Sequence, residues 1–350
     1  MAHAPRTGTD SLPDFPENLL GFQRMFPDEA ACLRYLEQLR WPGGFVCVRC
    51  GERGHPQRLA TRSRVLRCRS CRHEASVTAG TVMHRSKTDL HVWFWAALLM
   101  ATSTPGISAL EVQKKLGITR YETAFQLLHK LRAGMVRPNQ DQIGGEWPIE
   151  MDITFVGGKR KGRQGKTDKA PVIIAVEVRR REVRDPKTGK VIERGLAGRM
   201  RLRKIADKSA ASADKFAKDW IAPGSILRTD DGGEFANLAG LGYTHQAVAT
   251  RHNRATMDTW LPMVSRVTGN LKAWIDGTFH GVGRKHLQAY LNEFMFRFNR
   301  RFWRPVSFRK LLGLAAVQAG PTYRGLYDGK WVHRADPDTP AEDCSGVATG

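Results

Sequence analysis

Cys47-Val-Arg-Cys50 and Cys68-Arg-Ser-Cys71 are two Cys-x-x-Cys pairs with 17 residues between them. Two residues between paired cysteines let one tight turn aim both sulfurs at a single point, and two such pairs supply the four thiolates of a tetrahedral zinc ribbon. Gly51 and Arg72 stand where each turn must reverse. Four cysteines leave no coordination position for water, so the Zn2+ expected here is structural. Its ligation contributes roughly 10–16 kcal/mol of apparent binding energy to folding a segment too small for a core of its own. A second set of groups is acidic: Asp152 sits inside an alternating apolar pattern, and Asp230 ends another one 78 residues later. Phosphodiester chemistry with two Mg2+ or Mn2+ ions needs carboxylates on neighbouring strands, because one must bridge ions about 3.5–4 Å apart while others hold each ion singly.

Both sets need elements to hold them. Residues 1–40 are expected to form an N-terminal arm and a helix near 27–39, and residues 41–80 the ribbon, with short strands at 64–67 and 75–78. Residues 81–140 turn helical. The apolar run 92–101 is too short to span a bilayer and predicts a buried helix. Ser108-Ala-Leu-Glu111 and Thr119-Arg-Tyr-Glu122 both have the form of a capping box, with Gly117 and Ile118 between the two helices they would open. That spacing predicts a helix-turn-helix whose second helix buries Ala124, Leu127, Leu128 and Leu131 and shows Arg120, Gln126, His129 and Lys130 to a DNA major groove. A plain helical hairpin in a bundle has the same pattern.

Across 146–315 the period changes to two, with Met151, Ile153 and Phe155 on one face and Glu150, Asp152 and Thr154 on the other. Further strands are expected at 171–176, 200–205 and 225–229, with an amphipathic helix at 209–220 before the last. Three strands, a helix and a fourth strand predict a ribonuclease H-like mixed α/β sheet, and an α+β multidomain chain as a whole. In such a sheet the first and fourth strands are neighbours, which would bring Asp152 to Asp230. The helix 287–298, with Leu287, Leu291, Phe294 and Phe298 at helical spacing, is expected to be core. Residues 316–350 are expected to be a polar tail, acidic through Asp336, Asp338, Glu342 and Asp343.

With 350 residues and 41% hydrophobic side chains, the chain can build two or three cores. Its net charge is +22, and more than half of that excess falls in 158–204, where 17 Lys or Arg face 5 acids. A polyanion is the natural partner, and nucleic acid fits better than an acidic membrane because no amphipathic basic helix accompanies the run. Lys159, Arg160, Lys161 and Arg163 are the candidate phosphate contacts, and a solvated charged hairpin is the bland alternative. No apolar run follows a basic start, so no secretory signal is expected. The remaining cysteines, Cys32 and Cys344, are isolated, and a reducing cytoplasm is the expected location.

Ile149-Glu-Met-Asp152-Ile-Thr-Phe-Val-Gly-Gly158-Lys159 resembles the first-aspartate motif of bacterial insertion-sequence transposases of the ISXO-like group, which join a zinc ribbon and a helical region to a DDE-type transposase domain. Val77-Thr-Ala-Gly-Thr81, Gly106-Ile-Ser-Ala-Leu110 and Leu127-Leu-His-Lys-Leu131 are similar to the same group. So are Gly277-Thr-Phe-His-Gly-Val282, Lys285-His-Leu-Gln288, Tyr290-Leu-Asn-Glu-Phe294 and Arg297-Phe-Asn-Arg300, in the same order over roughly residues 20–315. The resemblance implies metal-dependent strand cleavage and transfer on double-stranded DNA, at terminal inverted repeats and at a target, by a homo-oligomer. It makes Asp152 and Asp230 the first two metal aspartates and Lys272, in Gly269-Asn-Leu-Lys-Ala-Trp274, the lysine that follows the third catalytic position by seven residues. That third position holds an acid, Asn or His in the group and Ser265 here. Either Glu234, Asp258 or Glu293 completes the site, or this copy is impaired and occupies element ends without cutting. A ribonuclease H-like nuclease or resolvase is a further reading of the same sheet, against which the ribbon and the helix-turn-helix argue.

Overall fold

The computed structural model describes residues 14–137, 140–157, 169–185, 188–249, 253–328 and 331. Lys159, Arg160, Lys161 and Arg163, and the acidic positions of the C-terminal tail, lie outside the described residues. The chain divides into two compact units. One comprises residues up to Met135 together with Phe302–Tyr327, and the other is built on Val136–Arg301.

The first unit opens with α1 (Leu19–Met25) and α2 (Glu29–Arg40), each started by a side chain that accepts a backbone N–H: Asn18 from Gly21, and Asp28 from Ala31. The antiparallel ribbon sheet follows, with strands β1 (Gln57–Arg58), β2 (Val65–Arg67) and β3 (Glu74–Ser76) in that order. These strands bury little beyond Leu66 and Ala75, so polar ties fasten the sheet to its neighbours. Arg40 on α2 donates to the carbonyls of Ser76 and Val77 at 2.8 and 2.6 Å, and Arg64 pairs with Glu29 at 2.6 Å.

Helix α3 (Leu90–Thr102) is apolar nearly all round and lies in the unit's core, where Phe94 meets Phe26, Tyr35 and Phe308 edge-on. Helices α4 (Ala109–Lys115) and α5 (Tyr121–Gly134) come next. Ser108 caps α4 by accepting from Glu111 N at 3.2 Å, as its sequence pattern requires. The second capping box does not form. Helix α5 starts one residue later than expected, on Arg120 with no side-chain cap, and the Thr119 carbonyl takes a hydrogen bond from Gln113 Nε2.

The second unit is a five-stranded sheet. Strands β4 (Ile149–Val156), β5 (Ala170–Arg184) and β6 (Val191–Lys204) form an antiparallel meander. Helix α6 (Ala210–Trp220) then returns the chain to β7 (Ile226–Asp230), parallel to β4, and β8 (Thr244–Val248) pairs parallel to β7. The spatial order is β6-β5-β4-β7-β8. This is the ribonuclease H-like arrangement that the order of elements predicts. The first eight residues of β5 are buried without alternation, because the sheet is covered on both faces. Ile149, Met151, Ile153, Ile173 and Leu227 pack with α6 on one face. Val156, Val172, Ile174 and Val176 pack on the other with α8 (Pro262–Phe279) and α9 (Leu287–Phe298), which follow the short α7 (Arg254–Trp260).

Strands β5 and β6 run far beyond the expected apolar segments and absorb much of the basic stretch into one long hairpin. Several of its arginines are spent internally: Arg179 and Arg199 each pair at 2.8 Å with the fully buried Glu177, and Arg201 is buried against Trp220. After Arg301 the chain rejoins the first unit through α10 (Arg304–Val317) and α11 (Tyr323–Asp328). These helices depart from the sequence expectation, which ran the catalytic domain to 315 and a polar tail from 316. Phe308, Leu311, Leu312, Ala315 and Ala316 are all buried in α10.

Candidate metal centre and active site

In the ribbon, Cys47 N–H bonds the Glu52 carbonyl while Gly51 N–H returns to the Cys47 carbonyl, both at 2.9 Å. Cys68 repeats the pattern with His73 and Arg72 at 2.9 and 3.1 Å. Each turn closes on a left-handed residue, Gly51 at φ 72° and Arg72 at φ 59°. The result is a tight group of sulfurs. Cys47 and Cys71 are 3.6 Å apart, Cys50 and Cys68 are 3.7 Å apart, and all four lie within 4.8 Å of one another. A tetrahedron with Zn–S bonds of about 2.3 Å has edges of about 3.8 Å, so the quartet is sized for zinc.

Proton sharing in the thiol cluster agrees with that fit. Burial alone would raise the Cys47 thiol, but backbone N–H groups of Cys50 and Arg49 and the neighbouring thiols bring it down to about 7. Cys50 receives a favourable backbone N–H from Glu52, yet Cys71, Cys47 and Cys68 push it up to about 12. Cys47 thus ionises more readily than a free thiol and Cys50 less readily.

On the sheet, β4 and β7 pair with Ile149 opposite Leu227 and Glu150 opposite Arg228. Continued two residues past these pairs, the same offset sets Asp152 opposite Asp230 on the adjacent parallel strands. Both lie on the face that carries α8. Burial pushes the Asp152 carboxyl up to about 6, the nearby Asp230 charge adds to this, and Glu234 adds less. The N–H of Ile153, bonded to Oδ1 at 2.7 Å, and Lys208 pull the other way. Glu234 follows β7 in the turn Gly233–Phe235, and its Oε1 lies 2.7 Å from Lys208 Nζ. Lys208 is in turn held charged by Glu234 first, and also by Asp230 and Asp152. The end of β7 is pinned beside this group, because the Thr229 carbonyl accepts from Trp260 Nε1 and its hydroxyl bonds His245 Nε2, both at 2.8 Å.

Glu150, two residues before Asp152 and on the same face of β4, is 1% exposed. Helix α8 begins at Leu261 and Pro262 without a capping side chain of its own. Glu150 Oε2 supplies the cap from the sheet, accepting from Met263 N at 2.6 Å and Val264 N at 2.8 Å. Burial still outweighs those bonds and raises the Glu150 carboxyl to about 7. This joint docks α8 on β4 and fixes where its first turns lie. Ser265 is half-buried there, and Lys272 is exposed two turns further along.

Of the three acids expected as substitutes for Ser265, Glu234 adds its charge to those that push the Asp152 carboxyl up. Asp258 is exposed on α7. Glu293 is fully buried on α9, beside Arg297 at 3.5 Å, on a helix that packs against β6 at the sheet's outer edge. Asp152 and Asp230 suit a divalent cation chemically: they are level on the sheet, and their mutual repulsion calls for positive charge between them. Among the described residues, only the cysteines are gathered closely enough to share one ion as they stand.

Exposure of the candidate DNA-contact residues on α5 differs from the expectation. Arg120 is exposed at the helix start. Gln126 is half-buried and hydrogen-bonded to Tyr327. His129 is 3% exposed against Phe125, at 4.3 Å between ring centroids. Lys130 is half-buried, donates to the His84 carbonyl at 3.1 Å and has its pKa lowered by burial. The sequence pattern resolves only one buried stripe on α5, while α3, α4 and α10 all pack on this helix and bury a wider arc. Sequence reasoning also missed Lys208 and the capping role of Glu150. Glu150 carried a signal in its alternation with Asp152, but Lys208 carried none.

A ribonuclease H-like sheet with level carboxylates on its first and fourth strands, joined to a thiolate ribbon, defines a zinc-ribbon protein of the DNA-transposase class. Residues 142–299 match the ISXO2-like transposase domain, and residues 27–74 match the transposase zinc-ribbon domain. The chain belongs to the insertion-sequence transposases that combine these two domains. Among curated proteins, none matches it. No helix among the described residues is long and apolar enough to cross a membrane.

Proposed function

We propose that the protein binds the ends of an insertion sequence and catalyses metal-dependent cleavage of a DNA strand followed by its transfer to target DNA. The observation that carries this reading is the level placement of Asp152 and Asp230 on the parallel central strands β4 and β7 of a chain with transposase domains. These two aspartates would hold the catalytic ions, Mg2+ or Mn2+, while the cysteine quartet would hold Zn2+. Divalent ions bound there neutralise charge that builds on the attacking and leaving oxygens of an in-line displacement at phosphorus.

In the first displacement a water oxygen bonds to phosphorus and the bond to the 3′-oxygen breaks, leaving a 3′-hydroxyl and a 5′-phosphate. In the second, the oxygen of that 3′-hydroxyl bonds to a phosphorus of the target strand, its proton passing to solvent, and the bond from that phosphorus to the target's own 3′-oxygen breaks, which leaves the target with a free 3′-hydroxyl. The chain's part is positioning. Glu150 sets α8 on the sheet, and Lys272, exposed on α8, meets a DNA phosphate. Arg120 and the ribbon are proposed to read the terminal repeats, and the basic residues after Gly158 to hold phosphates. We assign end binding to residues 41–140 and the chemistry to the sheet domain that starts at 146. Two ends must be joined, so at least a dimer acts on DNA.

The test is incubation of zinc-loaded wild type and Asp152→Ala with Mg2+ or Mn2+ and DNA carrying the flanking element's end. Strand-specific nicks and joined products that vanish in the variant are the expected result. Binding without a cut in either metal is the signature of the second reading, an impaired copy that only binds DNA, which the hydroxyl at Ser265 favours.

A further inference from the structure

We infer that Glu234, rather than the side chain at 265, supplies the third carboxylate of the ion-binding site, and that Lys208 holds it in place until a divalent cation takes over from the ammonium. The inference rests on reading Asp152 and Asp230 as the ion-binding pair.

Lys208 is the first observation. Its ammonium lies 2.7 Å from Glu234 Oε1 and is attracted by Asp230 and Asp152 as well. Lys208 thus contacts Glu234 and lies within the electrostatic reach of both aspartates, and the Glu234 side chain is only 9% exposed there. Three negative charges drawn together out of water persist only around positive charge. The ammonium compensates one of the three charges, and a divalent ion in its place compensates two.

Gly232 is the second observation. A Cβ on Gly232 would come within 2.7 Å of Glu234 Oε2, so the carboxyl occupies the space that the missing side chain leaves. The turn is anchored from the other side. Phe235, fully buried, packs with α6, and its N–H bonds the Gly232 carbonyl at 2.9 Å. Glu234 is thus folded back toward the strand that ends in Asp230. Ser265 offers a neutral hydroxyl, a weaker ligand for a hard divalent cation than a carboxylate.

The experiment compares full-length, zinc-loaded wild type with Glu234→Gln, Gly232→Ala, Lys208→Met, Ser265→Ala and, as a remote acid on α8, Asp276→Asn. Mn2+ binding is read by electron paramagnetic resonance, with nicking of end DNA in parallel. Glu234→Gln is expected to weaken Mn2+ binding about tenfold or more, the scale of losing a group that supports a metal. Gly232→Ala keeps every charge but fills the cradle and weakens it less. Lys208→Met removes the competing ammonium and tightens it. Affinity in Glu234→Gln no weaker than in Asp276→Asn, or a larger loss in Ser265→Ala than in Glu234→Gln, overturns the assignment. Unchanged or weaker binding in Lys208→Met overturns the exchange with the ammonium. Wild type that binds Mn2+ yet never cuts overturns the transposase activity while the ranking of variants still decides Glu234. Wild type that takes up no Mn2+ overturns both.

Discussion

Asp152 shows at the scale of one residue how a candidate catalytic group costs stability. Its carboxyl titrates near 6 in the folded chain and near 4 in an unfolded one. Between those values the folded state holds a proton that the unfolded state has released, so stability falls as pH rises through that window. Asp152→Asn removes the penalty. Without added Mg2+ or Mn2+ at pH 7.5, this variant is expected to gain about 1–3 kcal/mol. Thermal unfolding would register that gain while strand nicking is lost. The same proton competes with the ion: Mn2+ affinity, followed by titration, is expected to be flat above pH 7 and to fall about tenfold per unit below about pH 6. Alternation in the sequence already puts Glu150 and Asp152 on one face. It does not say that Glu150 is consumed in capping α8 while Asp152 stays beside Asp230, because that difference depends on where a helix more than a hundred residues away begins.

At the scale of elements, the ribbon and α5 differ in how far local pattern decides them. The two knuckles are local: each is closed by hydrogen bonds within five residues and by one left-handed residue. Cys68→Ser is therefore expected to lose zinc, measured as metal content per chain, and binding of end DNA with it, while the sheet of the second unit keeps its circular dichroism. The two capping boxes read alike in sequence, but Ser108 caps its helix while α5 starts from Arg120 with no side-chain cap. For α5 the packing of three other helices decides which side chains reach solvent. Arg120→Ala should weaken end binding and reduce its salt slope by about 1, as loss of one phosphate contact does. His129→Ala should lower thermal stability, with DNA affinity per folded molecule unchanged. Equal effects of the two variants on affinity would contradict this division of α5.

At the scale of the whole molecule, the charge of +22 would make the proposed DNA binding a counterion-release equilibrium. End-DNA affinity is expected to drop at least about a hundredfold between 50 and 200 mM salt, read from binding isotherms. Sequence by itself determined the cysteine quartet, the alternating strands, the ribonuclease H-like order and the two aspartates, because each follows from spacing or period along a short stretch of chain. Tertiary structure decided the level register of Asp152 with Asp230, the cap that Glu150 gives α8, and the burial of His129. It also decided the return of α10 and α11 to the first unit and the meeting of Lys208 with Glu234. Those features join residues far apart in sequence, and no local preference encodes which distant surface a side chain will meet once both faces of a sheet are covered.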